Sequence, residues 1–150
     1  MKIFILLRSN SSRGLHPRSR MFATAGFQTI MDANFEDFKS LDIRVGRIVS
    51  VEDFPEARKP LYKITADFGK EIGIKHSAVG VTHHYKKEQL QDKLILGLVN
   101  MPPKKIGPFT LHQNGAGFTS EFLTLGVSDE EGKCILVVPD KKVFLGAKLY

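Results

Sequence analysis

Between Asp42 and His76 the chain reads DIRVGRIVSVEDFPEARKPLYKITADFGKEIGIKH, and no other stretch limits the possible folds so sharply. From Ile43, the apolar Ile43, Val45, Val49 and Val51 alternate with Arg44, Gly46, Ser50 and Glu52, the period of two that marks a strand with one buried face. Arg47 and Ile48 break the alternation just after Gly46, which predicts a bulge or sharp bend there and a first strand shared between two sheets. Pro55 and Pro60, with charges between them, predict a surface connection. Tyr62, Ile64, Ala66 and Phe68 then alternate with Lys63, Thr65 and Asp67. Gly69 turns the chain, and Ile72 and Ile74 predict a short third strand.

Three consecutive antiparallel strands, the first long and bent, point to a small β-barrel such as an OB-fold. The remainder reads as its completion. Helix formers from Lys86 to Gln91 lie in the excursion between strands three and four, and Leu94 to Val99 is a nearly continuous apolar run of strand length. Phe122, Leu123 and Leu125 predict another strand, residues 128–133 a hairpin turn, Cys134 to Val138 its return, and Val143 to Leu149 a closing segment. Before the first strand, Asn34 or Asp32 is placed to cap a short helix through Leu41, with Phe35, Phe38 and Leu41 along one side. That stripe suits core packing or a partner-binding face. The expected class is therefore all-β: a five-stranded OB barrel with a short N-terminal helix and peripheral additions.

With 150 residues and 42% hydrophobic content the chain supports one core. Its net charge of +6 is unevenly placed, because residues 1–30 hold Lys2, Arg8, Arg13, Arg18 and Arg20 and no carboxylate. The expected folded part, 31–150, is close to neutral, so a nucleic-acid surface on it needs local clustering of cations. The acid-free leader 1–30 is similar in composition to an organellar transit peptide, and equally reads as a disordered tail outside the native protein, since Met21 and Met31 are alternative starts. A single cysteine, Cys134, rules out an internal disulfide, fits a reducing compartment, and in its apolar surroundings reads as a buried core thiol. A cytoplasmic location is expected, or a mitochondrial or other organellar one if the leader is genuine. No apolar run approaches the roughly 18 residues of a membrane span.

The candidate chemistry is that of binding. His76, His83 and His84 lack partner ligands at metal spacing, and no nucleophile and base are set at a recognisable spacing, so no metal, cofactor or enzymatic activity is expected. Lys104 and Lys105 are different. They follow the stiff Pro102-Pro103 pair, lie close to Asn100 and precede Gly107, a turn that suits phosphate contact as well as plain solvation. Arg44, Lys63 and Lys75 are placed to extend a positive stripe over the barrel face.

The segments FEDFKSLDIRVGRI, VEDFPEARKP, DFGKEIGIK, NMPPKKIGPF and SEFLTLGV, taken in order, resemble the CsaA family of small tRNA-binding-domain proteins, related to the appendices of methionyl-tRNA synthetases. The resemblance runs from Asn34 to the end. It implies an OB-fold, a homodimer of joined barrels, no catalysis, and a groove for tRNA with binding of unfolded peptides or preproteins. It also implies groove residues: Asn100, Lys104 and Lys105, then Ser120 and Glu121, with Lys75 and Ser77 on the rim. The helix residues Phe35, Phe38 and Leu41 are expected near the subunit contact. The rival reading is a peptide-holding chaperone that uses the same groove and binds RNA incidentally.

Two departures from the family pattern stand out. Gly80 occupies a position where a glutamine is expected, and nine extra residues lie between PF and SEF. Because Phe109-Thr110 recurs as Phe118-Thr119, excising nine restores IGPFTSEFLTLGV, so an insert at about 110–118 reads as a lengthened loop or an unremoved intron. It is expected to separate the lysine turn from Ser120.

Overall fold

The computed structural model describes residues 32–107 and 117–150. The leader 1–30, and all of the 110–118 insert except Gly117 and Phe118, lie outside the described residues. Residues Asn34–Tyr150 form one unit. Its first element is helix α1 (Phe35–Ser40), where the Asn34 Oδ1 accepts from the Asp37 N–H at 2.9 Å and the Asp37 carboxylate accepts from the Asn34 N–H at 3.2 Å. This reciprocal capping box selects Asn34 over Asp32 as the cap. Six residues are too few for a helix to persist by propensity alone. Asn100 supplies the tether, donating to the Ser40 carbonyl at 2.7 Å and accepting from the Asp42 N–H at 3.0 Å.

Strand β1 (Ile43–Asp53) is the spine of a five-stranded antiparallel sheet, with β2 (Tyr62–Asp67), β3 (Ile74–Val79), β4 (Leu94–Leu98) and β7 (Leu123–Thr124) in the order β3-β2-β1-β4-β7. Rather than joining two sheets, β1 serves both halves of one: its first half pairs with β4 from Ile43↔Leu98 to Arg47↔Leu94, its second with β2 from Arg47↔Asp67 to Asp53↔Tyr62. Where β2 parts from the first half, the C-terminal segment takes the open edge. The Val45 N–H donates to the Ala147 carbonyl at 2.9 Å, and the Gly146 and Leu149 N–H groups donate back to Val45 and Ile43.

The expected bend is a bulge at Val49, because Ile48 faces Ala66 while Ser50 faces Thr65. The extra residue changes the parity of the strand, so that Ile48 before it and Val51 after it share the inward face, opposite Ala66 and Ile64. Ile48, expected on the wet side, is fully buried, while Val49, expected in the core, is 37% exposed. Gly46 has a separate role. A Cβ there would lie 2.7 Å from the Phe68 ring, and one at Gly97 would lie 2.9 Å from both Phe68 and Phe122. The two glycines make a floor for the edge-on Phe68–Phe122 pair, whose centroids are 4.9 Å apart. Ile48, Ile64, Ala66, Val79, Val81, Leu90, Ile95 and Leu136 pack with them in the core.

The third strand starts later than the isoleucine pair suggested. Ile72 belongs to a tight turn in which the Gly73 N–H donates to the Gly69 carbonyl at 2.7 Å, and β3 runs on to Val79 with Ser77 and Val79 facing the core. The short helix α2 (Lys87–Leu90) lies in the excursion before β4 and buries Leu90. The hairpin of β8 (Gly126–Ser128) and β9 (Cys134–Leu136) turns at 129–133, where the Asp129 carboxylate accepts from the Glu131 and Lys133 N–H groups. His84 holds that turn from outside, its Nε2 lying 2.7 Å from the other Asp129 oxygen. Cys134 is half-buried rather than fully enclosed, and burial pushes its thiol pKa up. The architecture is an OB-like, nearly closed barrel, with two short helices among the described residues.

Candidate functional site

The barrel edge next to β3 is closed by the segment after a small ribbon, β5 (Lys104–Ile106) paired with β6 (Phe118–Ser120). The register is Lys104↔Ser120, Lys105↔Thr119 and Ile106↔Phe118. Lys104 and Ser120 are therefore ladder neighbours, not separated as expected. Gly107, with φ of +83°, lets the chain leave β5, and Gly117 packs so closely on the Gly107 carbonyl that a Cβ would collide with it.

Because Lys104 and Lys105 lie on a strand rather than a turn, they project to opposite faces of the ribbon. Both are exposed, and among the described residues neither forms an ion pair. The ribbon thus presents one ammonium on each side.

Ser77, Ser120 and Glu121 come together at the base of the ribbon, where they close the barrel. Ser77 is 2% exposed, and its Oγ donates to the Phe122 carbonyl at 2.9 Å and lies 3.2 Å from the Ser120 Oγ. The Glu121 N–H donates to the His76 carbonyl at 2.7 Å, and the Glu121 carboxylate accepts from the His76 N–H at 2.9 Å. A side-chain carboxylate here stands in for a backbone carbonyl of the ladder. The His76 ring is tied in turn to β2, its Nδ1 3.1 Å from the Thr65 Oγ1.

The remaining candidates are spread over the molecule. Lys75 is half-buried and pairs with Ala66 on the inward side of β3, while Lys63 pairs with Ala78 on the outward side, so the two do not form one stripe. Arg44 is partly buried at another end of the barrel, donating to Asp42 at 2.6 Å and to the Gly146 carbonyl at 2.9 Å, with Glu71 at 3.8 Å. Its guanidinium fastens the C-terminal segment. The amide of Asn100 is used in tethering α1. On that helix Phe35 is 67% exposed and stacks on the half-buried Phe38 at 6.2 Å, and Leu41 is exposed just beyond.

Sequence reasoning overlooked the neighbours of Lys63. Its ammonium lies 4.5 Å from the Phe54 ring centroid, 5.8 Å from that of Phe118 and 3.6 Å from the Glu56 carboxylate, and the two rings meet edge to face at 5.5 Å. The proximity of FPE to a lysine a few residues on was a visible signal for half of this cluster. The contribution of Phe118, far along the chain, was not.

The tRNA binding domain family matches residues 43–148. The chain is 39% identical over 115 residues to a methionine–tRNA ligase of Pyrococcus horikoshii, a match that covers 77% of this chain but 14% of the ligase. It thus spans about one-seventh of the length of that relative. Among solved structures it is similar to the chaperone CsaA of Bacillus anthracis, at 39% identity and a TM-score of 0.69, covering 80% of this chain and 100% of that one. The CsaA chaperone protein of Picrophilus torridus is similar at 40% identity, with a TM-score of 0.69, covering 79% and 100%. With more than two thirds of its length matched and the barrel architecture in common, the chain belongs to the tRNA binding domain family.

Proposed function

We propose that this protein binds structured RNA of the tRNA class, with Lys104 and Lys105 as phosphate contacts on the two sides of the ribbon and Lys75 on the rim. The observation that carries the reading is the ribbon itself. Two exposed ammonium groups without ion-pair partners among the described residues are held on opposite faces of a strand, and that strand is registered to the segment closing the barrel. Such contacts neutralise phosphate and release counterions without reading sequence. Ser77, bonded to Ser120, supports the ribbon from beneath, while Arg44 and Asn100 are engaged elsewhere, in fastening the C-terminal segment and tethering α1. The binding unit is assigned to 31–150, acting without catalysis.

A second reading, a chaperone-like role in holding unfolded peptides, is favoured by the likeness to two CsaA chaperones and by exposed apolar side chains such as Phe35, Val127 and Phe144. Salt separates the two. Affinity of the wild-type protein for tRNA should fall steeply as ionic strength rises, whereas capture of an unfolded apolar peptide should be flat or slightly strengthened. A flat tRNA response would remove the electrostatic reading. The working unit is proposed to be a homodimer with Phe35, Phe38 and Leu41 at the contact, so light scattering should give twice the protomer mass for wild type and a lower mass for Phe38→Glu. Monomers in both would contradict it.

A further inference from the structure

We infer that Lys63 is a positioning residue for the RNA-binding ribbon and makes no phosphate contact itself, an inference that rests on the reading of Lys104 and Lys105 above. The ribbon has only three residues in each strand, so its own ladder fixes its direction poorly. Two anchors set that direction. One is the Ser77–Ser120 and His76–Glu121 closure at the barrel end of β6. The other is Phe118, at the opposite end of the same strand, which packs edge-on against the buried Phe54.

Lys63 lies under this second anchor and joins three parts of the chain: β2, the 54–61 connection through Phe54 and Glu56, and β6 through Phe118. Its side chain is only 27% exposed. To reach a phosphate the ammonium would have to leave two aromatic rings and a carboxylate oxygen 3.6 Å away, in a partly desolvated setting where such contacts are strongest. The cation is therefore placed to hold Phe118, and through its strand the lysines that face the next two residues, Thr119 and Ser120, across the ladder.

Positioning and contact leave different marks on the salt dependence of binding. A lost phosphate contact lowers the slope of log K against log salt by roughly 0.9, while a misdirected ribbon lowers affinity at every salt concentration with the slope kept. The experiment measures tRNA affinity at several salt concentrations for wild type, Lys63→Ala, Lys63→Arg and the Lys104→Ala/Lys105→Ala double variant, with amide hydrogen exchange of β5 and β6 in the free proteins. Lys63→Ala should weaken binding about three- to tenfold with an unchanged slope and faster exchange in the ribbon, and Lys63→Arg should restore both. Phe118→Leu, which leaves every charge in place, should reproduce the Lys63→Ala exchange and affinity. A slope reduced by about one in Lys63→Ala, or ribbon exchange unchanged in both Lys63→Ala and Phe118→Leu, would overturn the assignment. The double-lysine variant isolates the underlying reading, which fails if that variant leaves affinity and slope untouched whatever Lys63 does.

Discussion

The barrel and the β5–β6 ribbon obey opposite rules. In the barrel every strand is paired along most of its length, Phe68 and Phe122 fill space left by two glycines, and the buried Ser77 is hydrogen-bonded. The ribbon has short strands, no fully buried side chain among its described residues, and cations without counterions there. The barrel core is built of apolar side chains, and the two lysines proposed to contact phosphate lie outside it. The two regions meet at few points, chiefly Ser77–Ser120, His76–Glu121 and the rings around Lys63, so each can be perturbed with limited effect on the other.

The largest effect should come from the barrel. Phe68→Ala removes a fully buried ring and leaves a cavity between Gly46, Gly97 and Phe122, a loss of about 3–5 kcal/mol, read by chemical denaturation. Whatever fraction stays folded should keep its tRNA affinity; a loss of affinity in that folded fraction would blur the separation.

A smaller effect is expected at acid pH. The Lys133 N–H, more than the His84 ring and the Glu131 N–H, holds the Asp129 carboxyl below its ordinary range, against the opposing effect of desolvation. The folded state thus binds this proton more weakly than the unfolded chain. The contribution is complete above the ordinary aspartate pKa near 4 and is lost as pH falls from there through the lower folded value. Asp129→Asn should flatten the acid limb of a melting-temperature profile below about pH 4 and leave RNA binding alone. An acid limb identical to wild type would detach Asp129 from stability.

The barrel was legible because its signals are local. Alternation in Tyr62–Phe68, the apolar run at Leu94–Val99 and the 128–133 turn each depend on neighbours in sequence. The bulge was sensed through Arg47 and Ile48, but its place was not, since pairing of Ser50 with Thr65 instead of Ile64 is decided across strands. The site was harder to read for the same reason. Composition identifies Arg44, Asn100 and Ser77 as polar and well spaced, yet only tertiary placement shows their hydrogen bonds directed inward to Gly146, Ser40 and Phe122. Lys104 and Lys105 were legible as cations, while their division between two faces comes from a strand pairing that the extra residues disguised.

The most direct test of the central claim is tRNA affinity across a salt series for the Lys104→Ala/Lys105→Ala variant, with thermal unfolding measured in parallel. The account predicts a weaker complex, a slope of log K against log salt reduced by roughly 1 to 2, a similar loss for structured RNAs of different sequence, and stability within about 0.5 kcal/mol of wild type. Unchanged affinity and slope in an intact barrel would contradict it.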